Sequence, residues 1–267
     1  MRVNDILTAF VIVLAGFSSC MKEDMPLKDG YATFSARFED SPLTRTVLEG
    51  MTPYWIQDDM ISVYDGENNM FRNKVTGKSA KAAFTGKLSG KGRKYYLSAY
   101  PYSSELSFAF LSKTVYGMFM PAEQVAVAGS YDPSASPAIA YTEDFNLSFR
   151  NVSSLLKFRI VSDGVKSVTV RSNAGEDLAG RFNATWGESP RVTITAGTDS
   201  VTIMGDFEKG QTYYVATIPN VLKDGLTVIL NDCVTAVKET CQIDLARSGM
   251  VSLGDISLDT MSSRSVR

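Results

Sequence analysis

Tyr31-Ala32-Thr33-Phe34-Ser35-Ala36-Arg37-Phe38 alternates without a break. Ala32, Phe34, Ala36 and Phe38 share one face; Tyr31, Thr33, Ser35 and Arg37 share the other. That is the period of a strand with one side buried. Similar short runs follow at Met60–Tyr64, Phe71–Val75, Ala80–Phe84, Lys94–Tyr100 and Thr114–Met120. They continue at Phe145–Phe149, Leu155–Val161, Ser167–Arg171, Arg181–Thr185, Arg191–Thr195 and Val201–Met204. The last are Thr212–Ile218, Leu226–Asn231, Glu239–Leu245 and Val251–Leu258. Each is bounded by Gly, Asn, Asp, Ser or Pro, and no stretch of helical length carries an amphipathic period. The chain reads as all-β.

So many strands exceed one sandwich of seven to nine, so two packed units are expected. Gly129, Pro133, Pro137 and three serines interrupt the alternation in Ala128–Thr142, which suits a boundary. The expected units are 31–135 and 136–267, ending in the polar stretch Thr260–Arg267.

Ahead of the first strand, Ile6 to Phe17 is apolar and follows Arg2. Such a run suits a signal-peptide core and is too short to cross a bilayer core of ~30 Å as a helix. Gly16-Phe17-Ser18-Ser19-Cys20 resembles the lipobox of bacterial lipoproteins. The resemblance implies removal of residues 1–19 and acylation of Cys20, with 20–30 as export signal and tether. Lys22-Glu23-Asp24 looks like the surface-export signal of Bacteroidota lipoproteins. Outer-membrane lipid would then be one partner, each buried CH₂ contributing about 0.8 kcal/mol. An ordinary secretory signal with a chance cysteine is the bland alternative.

Composition removes whole classes of function. The 27 basic and 29 acidic residues leave a net charge of −2, with no electrostatic footprint for nucleic acid. The chain has no histidine, so the usual general base, the commonest metal ligand and every Ser-His or Cys-His pair are missing. No enzyme, no metal and no cofactor is expected. Beyond Cys20 only Cys233 and Cys241 remain. They would fall opposite each other if 227–232 paired with 238–245, and a bridge or two free thiols are both open.

The remaining candidates for chemistry have plainer readings. Asp58, Asp59, Asp65 and Glu67 crowd together, but without EF-hand spacing they read as turns around Met60–Tyr64. Ser154-Leu155-Leu156-Lys157 matches Ser-x-x-Lys formally, yet on a strand the two side chains face opposite ways. The glycine-rich basic run Gly86–Lys94 lacks the phosphate-loop order and reads as a hairpin loop. Tyr95, Tyr96, Tyr100 and Tyr102 could stack on sugar rings, although strand aromatics usually pack inward. Trp55 and Trp186 read as core or interface residues. Asp199-Ser200-Val201 and Asp259-Thr260-Met261 resemble O-glycosylation acceptors of the Bacteroidota.

Taken in order, the strand segments resemble the fimbrillin-like surface lipoproteins of Bacteroidota, the group that supplies type V pilins. Phe34-Ser35-Ala36 precedes Thr44-Arg45-Thr46, and Trp55-Ile56-Gln57-Asp58-Asp59 leads into Met60–Tyr64. Ala83-Phe84-Thr85-Gly86 and Tyr96-Leu97-Ser98-Ala99-Tyr100-Pro101-Tyr102 follow. Leu147–Val152, Leu155–Ile160, Leu178–Phe182 and Tyr213–Pro219 continue the pattern over nearly the whole mature chain.

The resemblance implies two antiparallel β-sandwich domains of transthyretin-like Greek-key topology. It also implies a mechanical role: in polymerising members a trypsin-like protease cuts after an arginine, the first strand leaves, and a neighbour's donated strand fills the groove. Here the leaving strand would be Tyr31–Phe38, with Ala32, Phe34, Ala36 and Phe38 in pockets, and the cut would follow Arg45. The implied partners are other fimbrial subunits, acting in adhesion at the outer membrane, with stalk, tip and anchor roles all open. The alternative is a non-polymerising surface lipoprotein that binds a glycan or a host or bacterial receptor.

Overall fold

The computed structural model describes residues 30–39, 54–89 and 95–259. Among these, strands dominate and the one helical element is a 3₁₀ turn at Pro133–Ala135. The first strands are β1 (Tyr31–Phe38), β2 (Met60–Tyr64), β3 (Asn68–Asn73), β4 (Lys81–Lys87), β5 (Tyr96–Tyr100), β6 (Ser107–Ala109) and β7 (Thr114–Met120). Next come β8 (Glu123–Val125), β9 (Ala138–Thr142), β10 (Asn146–Asn151), β11 (Ser154–Ile160), β12 (Ser167–Ser172), β13 (Ala179–Thr185) and β14 (Arg191–Thr198). The rest are β15 (Ser200–Met204), β16 (Thr212–Thr217), β17 (Asn220–Leu222), β18 (Leu226–Leu230), β19 (Val234–Lys238), β20 (Ile243–Leu245) and β21 (Met250–Ile256).

One sheet closes on itself in the order β1-β10-β9-β5-β2-β3-β4. Its interior holds Phe34, Trp55, Phe71, Phe84 and Phe149, all fully buried. The second, larger core lies among the sheets β16-β11-β21, β19-β18-β12-β15-β8 and β14-β13-β7-β6, with the small pair β17-β20. The protein is all-β. It is not wholly antiparallel, however: β1 with β10, β11 with β21 and β15 with β8 run parallel. The first unit also forms a closed sheet where a sandwich of two sheets is expected, because β1 bridges β4 and β10 and leaves no open edge.

The chain passes between the two cores more than once. β6, β7 and β8 join the second core's sheets, after which β9 and β10 return to the closed sheet. β5 and β9 form the wall between the cores. Tyr96, Tyr100, Ala138 and Ala140 face the closed sheet's interior, while Leu97, Ala99 and Ile139 face the larger core. A strand wetted on neither side needs no alternation, which is why Tyr96-Leu97-Ser98-Ala99-Tyr100 is buried throughout. The same cause hides β9 inside the stretch read as a boundary.

The C-terminal hairpin corrects one expectation. β18 pairs with β19 from Thr227↔Lys238 to Leu230↔Val234, so the strand opposite β18 is 234–238 and not 238–245. The chain reverses at Asn231 and Asp232, which hold φ of 49° and 58°. Asn tolerates that left-handed region, and its side chain fixes the turn here by accepting from Lys166 N at 2.7 Å and donating to Gly164 O at 3.0 Å. Cys233 therefore sits in the turn and Cys241 beyond the strand's far end; both are exposed, free thiols, and the bridge between them is not formed.

Gly86 marks the tightest approach around β1. It pairs with Ala32 on β1 and Phe71 on β3. A Cβ there would lie 2.5 Å from Met70 O and 2.7 Å from Phe71 Cγ. Backbone cannot yield cheaply, so Gly86→Ala should cost about 1–3 kcal/mol in urea unfolding. Gly187→Ala, whose nearest neighbour would be 3.6 Å away, should leave the midpoint unchanged.

Candidate functional site

β1 is wedged between two strands. It runs antiparallel to β4 from Tyr31↔Lys87 to Arg37↔Lys81, and parallel to β10 from Ser35↔Asn146 to Phe38↔Phe149. Its ends are tied by backbone bonds from Leu88 N to Gly30 O at 2.9 Å and from Glu39 N to Phe149 O at 2.7 Å. Without β1, the facing edges of β4 and β10 would expose a row of backbone donors and acceptors above an open core. A strand of this kind can be replaced by any alternating peptide that restores the ladders.

The inward face decides which peptides fit. Ala32, Phe34 and Ala36 are buried, and Phe38 is half-buried at the end. The Phe34 ring meets Phe71 edge-on at 5.3 Å, Tyr96 at 4.9 Å and Phe145 at 5.2 Å. Phe38 stacks on Trp55 at 4.4 Å. Two small and two large positions thus alternate along the groove, and the large ones are lined by aromatic rings whose edge-to-face contacts each contribute about 0.5–1.5 kcal/mol beyond burial.

Trp55 reads β1 in a second way. Its indole Nε1 donates to Ala36 O at 3.0 Å, deep in the core. Its backbone is bridged to Ser79, and its ring touches Phe84, Tyr100 and Phe149. Asp59 holds the Trp55 loop in place by accepting from Ile56 N at 2.8 Å and from the Tyr100 hydroxyl at 3.0 Å. Burial first, then the Asp59 charge, pushes the Tyr100 phenol well above its ordinary 10.0, so it stays a donor. Asp58 takes φ 64° in the same turn, and Asp65 accepts from Asn69 Nδ2 at 2.8 Å. Among the described residues no three of His, Cys, Asp or Glu gather as a metal site.

Glu39, immediately beyond β1, carries a feature that sequence reasoning missed. Its carboxylate accepts from Arg247 Nη1 at 2.6 Å and lies 3.8 Å from Arg150 Nε. The side chains are only 21%, 17% and 26% exposed, in the order Glu39, Arg247, Arg150. Arg247 and Arg150 are far apart in sequence, and only the fold brings them together. The one available signal is an acidic residue directly after an alternating run.

The tyrosines divide between two faces. Tyr96 and Tyr100 are buried, whereas Tyr95 points outward and stacks on Phe110 at 4.4 Å. From there a row of rings runs through Tyr141 to Trp186. One face of Tyr95 is therefore covered by a neighbouring ring. Trp55 lies in the closed sheet's core, and Trp186 is half-buried against the larger one. Ser200 opens β15 and is half-buried. Cys20, Lys22, Glu23, Asp24, Arg45 and Thr260 lie outside the described residues.

No protein-family model matches the chain, and no curated protein matches it. Similar solved structures include a candidate cell adhesion protein from Bacteroides uniformis, 15% identical, covering 85% of this chain and 93% of that one, with TM-score 0.46. A candidate cell adhesion protein from Bacteroides ovatus is 12% identical over 89% of this chain and 97% of that one, with TM-score 0.49. A fimbrial assembly protein from Parabacteroides distasonis is 10% identical over 83% of this chain and 90% of that one, with TM-score 0.36.

Proposed function

We propose that this protein is a fimbrial subunit or anchor component, delivered to the outer membrane as a lipoprotein acylated at Cys20 and joined to its neighbours by β-strand exchange, in the service of cell adhesion. One observation carries the reading: β1 closes an otherwise open sheet, with its face in ring-lined pockets and its backbone shared between β4 and β10. A strand so placed seals the subunit until another replaces it. The order of motifs along the sequence, from Cys20 through Tyr31–Phe38 to the Thr44-Arg45-Thr46 element, agrees with that sequence of events.

On this reading Lys22-Glu23-Asp24 directs the lipoprotein to the surface, a protease cuts after Arg45, and β1 leaves. Departure of β1 would open the closed sheet along β4 and β10, while the larger core keeps its own sheets. The partners are other fimbrial subunits, membrane lipid and a surface receptor, and the protein carries neither catalytic centre nor cofactor. N-terminal sequencing of protein extracted from the cell surface should find chains that start at Thr46. Finding only chains that start at Cys20, with no heat-resistant ladder on denaturing gels, would overturn the proposal.

A further inference from the structure

We infer that the groove under β1 ends in a carboxylate-recognising pocket made by Arg150 and Arg247, so that an incoming strand must bring an acidic group one position beyond its last apolar residue. This rests on the strand-exchange reading and specifies its partner.

Both arginines are fixed by groups outside β1. Arg247 Nη1 also donates to Asn151 O at 2.8 Å and to Ser248 Oγ at 3.0 Å, while its buried Nε has no partner among the described residues. Arg150 lies over the Trp186 ring at 4.5 Å and donates to Gly187 O and Glu188 O. Among the described residues Glu39 is the one carboxylate paired with either arginine. Glu39 lies between β1 and Arg45, so a cut after Arg45 removes it together with the strand.

The two cations stay behind, half-buried and without the carboxylate that had paired with them. A charged group in that setting is costly unless an anion returns. A charge-assisted bond from Arg to carboxylate is also stronger than one to a neutral acceptor. The vacated site therefore reads two things at once. The pockets select small, large, small and large apolar residues, and the arginines select a carboxylate directly after the last of them. A strand without the acid leaves the pair unsatisfied, and that penalty gives discrimination. An acidic side chain or a free chain terminus could supply the same group.

The test uses the full mature chain with a sequence-specific protease site placed between residues 40 and 50, cut once so that β1 is held only by its own contacts. Four labelled peptides compete for the groove: residues 31–39 amidated, the same with Glu39→Gln, residues 31–38 with a free carboxylate, and residues 31–38 amidated. The peptide that keeps Glu39 should bind about tenfold more tightly than the Glu39→Gln peptide, or better. Arg247→Met should abolish that ratio, and Arg247→Lys should restore part of it. A free carboxylate after residue 38 that binds as well as Glu39 would make a chain terminus an adequate donor end. Equal binding of the unaltered and Glu39→Gln peptides to the unaltered host would overturn the pocket while leaving strand exchange intact. Entry of no peptide at all would sink strand exchange itself. The comparison in the unaltered host decides the matter even if Arg247→Met fails to fold.

Discussion

Trp55→Ala is expected to remove about 3–5 kcal/mol of stability and to loosen β1 before anything else. The indole is fully buried and touches Phe38, Phe84, Tyr100 and Phe149. Removing it opens a cavity against the far end of the β1 face and leaves the surrounding rings without partners. It also takes the donor from Ala36 O, a bond worth about 0.5–1.5 kcal/mol net. Trp55→Phe should separate the two effects, since it keeps much of the packing and loses the bond. Hydrogen exchange gives the decisive readout. Amides of Ser35 and Arg37 should lose protection well ahead of those in β12, which lies between β15 and β18 in the larger core. Loss of protection at equal rates in both places would mean that Trp55 supports the whole fold and has no special hold on β1.

What the sequence discloses follows from where water lies. β1, β3 and β4 are wetted on one face, and their alternation in burial matches the alternation of residue type. β5 and β9 are dry on both faces, so Ala138-Ile139-Ala140 carries no period and the prolines and serines around it dominate the reading. β6, β8, β17 and β20 have three residues each, too few to show any period. β19 stays hidden for a different reason. Asn231 and Asp232 make a tight turn, but Cys233, Thr235 and Lys238 blur the strand that follows.

The site is legible to a similar degree. The pocket face of β1 can be read from Ala32, Phe34, Ala36 and Phe38 because one strand carries all four. Its neighbours cannot be, since β10 pairs with β1 in parallel across a long connection and nothing local announces that register. Trp55 is recognisable as a core residue by size alone. Its bond to Ala36 O depends on the bridge to Ser79 and on the Asp59 bonds to Ile56 and Tyr100, which only the folded chain defines. The Glu39 pair is the clearest limit. A lone acid after a strand says little until Arg150 and Arg247 are brought beside it.

A chain that begins at Thr46 should lose the cooperative unfolding of its closed sheet, and an added peptide of residues 31–39 should restore it. The expectation follows from what β1 alone supplies. Losing the Phe34 side chain by itself, out of a pocket formed by Phe71, Tyr96 and Phe145, would cost about 3–5 kcal/mol. Domain stabilities are typically about 5–15 kcal/mol, so losing the whole strand with its two ladders brings this sheet to the edge of unfolding. The larger core keeps its own sheets and should still melt as a unit. The peptide then acts as a ligand that binds only the folded groove, and at a hundred times its dissociation constant it should return about 2.7 kcal/mol. Thermal unfolding followed by tyrosine fluorescence, with and without peptide, measures both steps. An unaltered melting curve for the shortened chain would show that the closed sheet does not depend on β1, and a groove that stands stable and empty would give no drive for a neighbour to fill it. A large loss reversed by the peptide would instead tie folding and assembly to the same strand, because the contacts that complete one subunit would be the contacts that join two.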